Sequence, residues 1–382
     1  MTTFASKKQL GFTLIEFAVA MAISIIAMAA TVLAFRTATY SNQNVTQRED
    51  MADNIRAGLN LLEQDLIMTG MGVPTGGIAI PTFAATASCP GGTSNLKRPV
   101  PSGSATFPTC DTTLPSIEPG NAMGPLITAP DATSLTHTDI ITVVYEDNTS
   151  TSTTTIIGMN AEPINGTGCP NGSLSASGNT VTFDANCFNL SSLSASGVQI
   201  NPGDLIMFSN VNGNALQVVS SVSGQTLNFA SGDAFGLNGI TSATGGTLVN
   251  LQNYNVNAVT GAKTYLGTYP QTAATRIWMI SYWLDNITDP VHVRLDRAVN
   301  FNAAQPVGET LENLQFTFNF NDGIAVNQLT VPTGYSESEI RSVNLYLSTR
   351  STSMLGQTHT YARENFQTQL SLRSMAYVNR YH

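Results

Sequence analysis

From Phe12 to Phe35 the chain is apolar at nearly every position, and Glu16 is the one charged residue in that run. About 20 residues suffice to cross the hydrocarbon of a bilayer, so the run is of spanning length. Lys7 and Lys8 precede it, and basic residues stay on the cytoplasmic side, which sends everything after Phe35 to the other side. Glu16 conflicts with its surroundings, because an ionised carboxylate in hydrocarbon is penalised by about 3 kcal/mol or more. Such a residue marks a function. An ordinary secretory signal could use Ala27-Met28-Ala29 as its cleavage site, but its apolar core would be shorter and would carry no Glu16. A plain single-pass anchor explains length and orientation and leaves the glutamate unexplained.

A cut between Gly11 and Phe12 would resolve the conflict. The new α-amino group of Phe12 would be a cation one helical turn from Glu16, and the same amine on a neighbouring copy could neutralise the carboxylate. The charge would then set the register of stacked helices. The hexapeptide Gly11-Phe12-Thr13-Leu14-Ile15-Glu16 resembles the prepilin peptidase motif of the type IV pilin and type II secretion pseudopilin superfamily. That resemblance implies cleavage after Gly11, N-methylation of Phe12 as the first mature residue, and Glu16 as the assembly residue.

Charged residues make up only 11% of the 382 residues and the formal net charge is −9. Removing residues 1–11 takes away Lys7 and Lys8 and no acid, so the remainder is more acidic still. Nothing resembles the clustered Lys and Arg that phosphate backbones require, and nucleic acid is not an expected partner. The four cysteines, Cys89, Cys110, Cys169 and Cys187, all lie beyond the apolar run, in what the basic leader predicts is an oxidising compartment. Each neighbouring pair brackets a loop rich in Gly, Ser and Pro, which favours Cys89–Cys110 and Cys169–Cys187 among the three possible connectivities. No C-x-x-C and no nearby histidine supports a metal site instead.

After Arg36 the sequence turns polar but keeps helical spacing, with Ile55, Leu59, Leu62 and Leu66 on one face. No proline interrupts residues 12–73, and Gly70, Gly72 and Pro74 then supply a stop. From Asp139 onward the pattern becomes alternating and β-branched: 139–146, 180–183, 205–209, 215–221, 225–230, 276–284, 291–295, 313–320, 341–349 and 367–373 read as strands. The chain thus divides into a leader (1–11), a transmembrane and assembly helix (12–35), an amphipathic helix (36–69), a loop with the first part of a β head (70–149), an inserted low-charge β module (150–275) and the rest of the head (276–382). The fold class is α+β: a long N-terminal helix packed on a mostly antiparallel β head. The only charged residues of the insert are Glu162, Asp184, Asp204, Asp233 and Lys263.

The C-terminal motifs Arg276-Ile277-Trp278-Met279-Ile280-Ser281-Tyr282-Trp283, Val291-His292-Val293-Arg294-Leu295, Glu309 to Phe316, Arg341 to Leu347 and Leu370 to Arg373 follow one another in an order similar to the PilW group of minor pilins and the related J-type minor pseudopilins. These motifs concern fold and carry no catalytic residue.

Parts for catalysis are missing from the sequence. His137, His292, His359 and His382 form no H-x-x-x-H or H-E-x-x-H pair. There is no G-x-S-x-G elbow and no phosphate-binding G-x-x-x-x-G-K-[ST] loop, and Gly70-Met71-Gly72 closes a helix where a dinucleotide turn would open one. No enzymatic activity, cofactor or metal is expected. Glu146-Asp147-Asn148, Asp285-Asn286 with Asp289, and Asn319–Asp322 could offer oxygens to calcium, which some pseudopilins bind, but none has EF-hand spacing and turns are the ordinary role of such clusters. Trp278, Tyr282 and Trp283 could form a sugar platform, although alternation in a strand favours packing.

The resemblance implies a minor pilin: inserted in the bacterial inner membrane with its head periplasmic, cut by the prepilin peptidase, then carried to the pilus and cell surface. Its partners would be other minor pilins, the major pilin and a large tip adhesin, in the service of assembly priming, adhesion or twitching motility. Two alternatives stand beside it, a type II secretion minor pseudopilin and, from another class, a ligand-binding adhesin head on a pilin-like anchor. A large uncharged insert suits an exposed tip better than a confined periplasmic one.

Overall fold

The computed structural model describes residues 13–108, 110–128, 135–147, 150–152, 155–156, 159, 161–165, 169–190, 199–356, 358–372 and 375. Leu14–Met68 forms one helix, α1, of 55 residues, or about 80 Å at 1.5 Å per residue. Thr13 caps its start and Thr69 ends it, after which Gly70 and Gly72 take positive φ. The Gly70 N–H donates to Val144 O at 2.9 Å, so the exit of the helix is tied directly to the head.

The head is antiparallel throughout the strands used below. In chain order these are β1 (Ile117–Gly120), β2 (Ile140–Glu146), β3 (Glu162–Pro163), β4 (Ser173–Leu174), β5 (Thr180–Thr182), β6 (Leu205–Asn210), β7 (Gly213–Val218), β8 (Ser221–Ser223), β9 (Thr226–Asn228), β10 (Ala273–Asp285), β11 (Arg294–Val299), β12 (Gln305–Gly308), β13 (Leu311–Phe320), β14 (Ile340–Arg350) and β15 (Arg363–Ser371). The architecture is α+β, as the patterning predicts.

β10 is the spine. Its first half pairs with β6 along one edge and its second half pairs with β11 along the same edge, while β3 and β2 share the other edge. β7, β1 and β12 extend this eight-stranded sheet outward. Both faces of β10 and β2 are covered, which is why 276–284 and 140–146 read as nearly continuous apolar runs. In the separate sheet β13–β14–β15, β13 alternates from Leu314 onward: Leu314, Phe316, Phe318 and Phe320 point inward, with polar residues between them.

The largest core lies between these two sheets and the C-terminal half of α1. Ile55, Leu59, Leu62 and Leu66 pack with Ile141, Val143, Ile280, Leu284, Phe316 and Leu345. Truncating a buried leucine of this stripe to alanine costs about 2–5 kcal/mol. Gly58 sits inside the helix because a Cβ there would lie 2.9 Å from Val307 O. A glycine weakens a helix interior by about 0.5–1 kcal/mol, and here it lets α1 close on β12.

Residues 150–275 contribute in two ways. β6 and β7 extend the main sheet, and β10 itself begins at Ala273. β4, β5, β9 and β8 form a second, four-stranded sheet. The two faces of β6 serve two cores, with Ile206 and Phe208 facing Phe183, Leu227 and Phe229, and Leu205 and Met207 facing Ile78, Phe107 and Phe235.

Three strands begin three or more residues away from the stretches expected from sequence, β10 among them, at Ala273 instead of Arg276. The stretch 291–295 becomes β11 only from Arg294, because Asp289 accepts from the Val291 and His292 N–H groups and holds them in a turn. β15 begins at Arg363, ahead of the alternation at 367, where register sets Arg363 opposite Arg350 and both guanidinium groups meet Glu312.

Candidate functional site

The local chemistry around Glu16 follows from Thr-x-x-Glu at a helix start. The Thr13 hydroxyl accepts from the Glu16 N–H at 3.3 Å, and Glu16 Oε2 accepts from both the Thr13 N–H and the Thr13 hydroxyl at 2.9 Å. This reciprocal cap satisfies backbone donors that would otherwise be orphaned. In hydrocarbon, where no water can serve them, that satisfaction matters more than in solution. Only Oε2 is used, so Glu16 keeps a second oxygen with open acceptor capacity among the described residues. Gly11 and Phe12, the expected processing residues, lie outside the described residues, as do Lys7 and Lys8.

Around this carboxylate the helix is bare. Every residue from Thr13 to Thr39 is exposed, with Leu14 at 87% and Phe35 at 75%. Soluble monomers do not present apolar surface on this scale, and such a face belongs against lipid or protein. The serine and threonine hydroxyls beyond the cap are internally satisfied. Ser24, Thr31, Thr37 and Thr39 each donate their hydroxyl to the carbonyl four residues back, at 2.8 to 3.0 Å.

Contact with the head begins abruptly. Gln47 Nε2 donates to Ser353 Oγ at 2.6 Å, and the backbone at Gly356 runs so close to the Tyr40 ring that a Cβ would sit 2.7 Å from it. The segment between β14 and β15 therefore rests on the middle of α1. Burial then starts at Met51.

Asp65 locks the helix to the head, and sequence reasoning missed it. Its carboxylate is 3% exposed and accepts from Tyr145 Oη on β2 at 2.7 Å, Tyr282 Oη on β10 at 2.5 Å and Arg297 Nε on β11 at 2.7 Å. Arg297 Nη2 adds a second contact at 3.2 Å. Burial and the adjacent Asp65 charge push both tyrosine hydroxyls up, which keeps them as donors. Burial alone would lower the Arg297 guanidinium, but its bond to Asp65 and the carboxylate charge raise it. The signal was present: Asp65 falls between Leu62 and Leu66 on the apolar stripe, and a charge there needs a partner.

A second buried ion group ties β10 to its surroundings. Arg276 donates to Asp147 Oδ2 at 2.8 Å through Nε and contacts Asp204 Oδ2 at 3.3 Å, while its guanidinium stacks on Trp278 at 4.6 Å. Trp278 Nε1 donates to Asp147, Tyr282 is committed to Asp65, and Trp283 is 4% exposed. The three aromatics are packing groups, with no open platform.

Cys89 is bonded to Cys110 and Cys169 to Cys187, the two neighbouring pairs. The acidic clusters serve turns. Asp285 accepts from Ile287 N, Thr288 Oγ1 and Arg294, Asp289 accepts from Val291 N and His292, and Asp322 accepts from Ile324 N, Ala325 N and Tyr335. Glu146 and Asp147 sit at the end of β2, and Asn148 lies outside the described residues. No three His, Cys, Asp or Glu side chains among the described residues form a group able to hold a metal ion. His137 lies near Gly124 O, His292 pairs with Asp289, and His359 is exposed between β14 and β15, so the structure brings none of these histidines together; His382 lies outside the described residues.

A family model for the prokaryotic N-terminal methylation motif matches residues 6–32. Neither a curated protein nor a solved structure shows a match to the chain. The chain thus carries a prepilin-like signal and an exposed apolar helix on a disulfide-stapled β head, a combination that supports the pilin and pseudopilin superfamily.

Proposed function

We propose that the chain is a minor pilin of a type IV pilus, a subunit that primes assembly or sits at the fibre tip, and that it has no enzymatic role. The observation that carries this reading is the bare apolar half of α1 with Glu16 in its first turn. In the membrane this surface faces lipid. In a fibre it faces the same surface of other pilins, and Glu16 meets the N-methylated amine of a neighbouring Phe12. The exchange of lipid for protein contacts is close to neutral for the apolar side chains, whereas pairing removes the penalty on the buried carboxylate. The pairing therefore favours assembly over dispersal. The chain is processed by the prepilin peptidase, waits in the inner membrane with its head in the periplasm, and then joins other minor pilins, the major pilin and a tip adhesin at the cell surface. Energy for extraction comes from a separate motor.

A type II secretion pseudopilin would use the same helix. The low-charge region 150–275, with its own small sheet at the head, favours the surface fibre, because a periplasmic piston has less room for it. The test is fractionation of cells expressing the full chain. Sheared surface fibres should contain it with Phe12 as the N-terminus, and Gly11→Val, which puts a side chain before the scissile bond, should leave a full-length precursor in the inner membrane. Mature-sized Gly11→Val protein would remove the pilin reading, and a wild-type chain confined to the periplasm, with protein secretion lost when it is deleted, would favour the pseudopilin.

A further inference from the structure

The segments 177–179, 239–243 and 247–250, with Gln217, Leu237 and Tyr265, line a cavity of about 440 Å³, and a second of about 480 Å³ shares Asn179, Gly239 and Thr241 with it. The two adjoin along these three residues, and the first, a groove, is of the size that ligand sites have. Its lining contains no acid, lysine, arginine or histidine, and Lys263, two residues from Tyr265, has its ammonium engaged over the Tyr254 ring at 4.1 Å, so the lining itself offers a phosphate, carboxylate or ammonium no counter-charge. What it offers instead is amides, hydroxyls and one phenol.

We propose that this groove binds a neutral, hydroxyl-rich ligand, a chain of uncharged sugar rings. Sugars need closely spaced donors and acceptors together with apolar patches for their C–H faces. Asn179, Thr241 and Asn250 supply the first, and Leu248 and Ile240 the second.

Two of the polar groups, Asn250 and Tyr265, are held in place before any ligand arrives. Asn250 Oδ1 accepts from Thr247 Oγ1 at 2.7 Å and from Thr247 N at 3.0 Å, which fixes which end of the amide is the donor. Asn250 Nδ2 then donates to Tyr265 Oη at 2.8 Å. With one lone pair of that oxygen occupied, the phenolic proton is left to donate to something else. The Tyr265 ring is steadied edge-on by Tyr254, with centroids 6.1 Å apart. Gly178 and Gly239 shape the wall at positive φ, and a Cβ on Gly239 would come within 2.6 Å of Ser231 Cβ. Such a preset array of donors and acceptors lowers the ordering cost of binding.

This inference goes beyond the assembly reading and does not depend on it, because it is tested on the full chain in detergent, with no fibre present. Immobilised full-length protein is probed with a panel of neutral hexose and N-acetylhexosamine oligosaccharides beside sialylated and sulfated counterparts. A subset of the neutral ligands should bind. Tyr265→Phe, which keeps the ring and removes the hydroxyl that accepts from Asn250 and is free to donate, should weaken binding at least fivefold, and Thr241→Trp, which adds a bulky ring at the wall the two cavities share, should abolish it, while both still unfold cooperatively with the disulfides intact. Tyr265→Phe and Thr241→Trp binding as tightly as wild type would overturn the assignment. So would exclusive binding of the acidic glycans, or no glycan binding by protein whose two disulfides are intact.

Discussion

The two halves of α1 share one continuous backbone and have opposite surroundings. From Thr13 to Thr39 every side chain is exposed, whereas from Met51 onward one face is buried against the head. Each half contains one carboxylate that matters. Asp65 meets its partners within the chain, in Tyr145, Tyr282 and Arg297. Among the described residues, Glu16 meets only its own cap. The difference bears on the proposed function: a buried charge is tolerated only when paired, so under that reading the charge of Glu16, unpaired beyond its cap among the described residues, is completed by another chain.

The comparison breaks most severely at Asp65. Asp65→Ala leaves Arg297 and two tyrosine hydroxyls facing a buried void, and loss of one partner of such a group costs about 3–5 kcal/mol. Chemical denaturation of the full chain in detergent should show that loss. Asp53→Ala on the same helix removes only an exposed pair with Arg56 at 3.6 Å, and should leave the denaturation midpoint unchanged. Equal effects of the two substitutions would show that Asp65 is no lock.

A smaller effect is expected from the disulfides. Cys169 and Cys187 are 18 residues apart, and closing a loop of that size contributes on the order of 3 kcal/mol in the chain-entropy account. Replacing both with serine should lower head stability by that order, measured by the same denaturation, yet leave membrane insertion and cleavage intact, because the exposed half of α1 makes no use of the staple. Mass spectrometry of protein from the periplasm should find no free thiols among the four cysteines.

A further expected effect is a dependence on pH within the head. Glu118 is 4% exposed, and its Oε2 has no hydrogen-bond partner. Burial pushes its carboxyl up to about 8, with Arg98 pulling it back and Asp111 and Glu337 pushing it further. The folded head holds this proton between the ordinary value of 4.5 and about 8, where the unfolded chain has released it. Stability should therefore fall as pH rises through that window. Thermal unfolding at pH 5.5 and 8.5 should show a drop that Glu118→Gln flattens; the same drop in both proteins would place its origin elsewhere.

Much of this was legible in the residues. The apolar run, the stripe Ile55, Leu59, Leu62 and Leu66, and the alternation of 313–320 and 341–349 each carry their own period, and each became the expected element. The pairing of Cys89 with Cys110 and Cys169 with Cys187 was also suggested by loop composition. What could not be read were contacts between residues distant in sequence. Asp65 and Arg297 are 232 positions apart, and no local pattern links them. The short strand Ile117–Gly120 was equally hidden, since only pairing with β2 makes it a strand. The groove near Asn179 and Tyr265 depends on segments that meet only after folding, and its lining reads in sequence as ordinary polar loop.

The most direct test of the account concerns Glu16. Glu16→Ala lowers the insertion cost, so the mutant should enter the membrane and be cleaved normally. Without the carboxylate it should accumulate in the membrane fraction at mature size and be absent from, or strongly depleted in, sheared fibres. Glu16→Gln, which keeps the shape and loses the charge, should behave nearly the same. Incorporation of both variants into fibres at the wild-type level would contradict the account, because helix packing alone would then recruit the subunit.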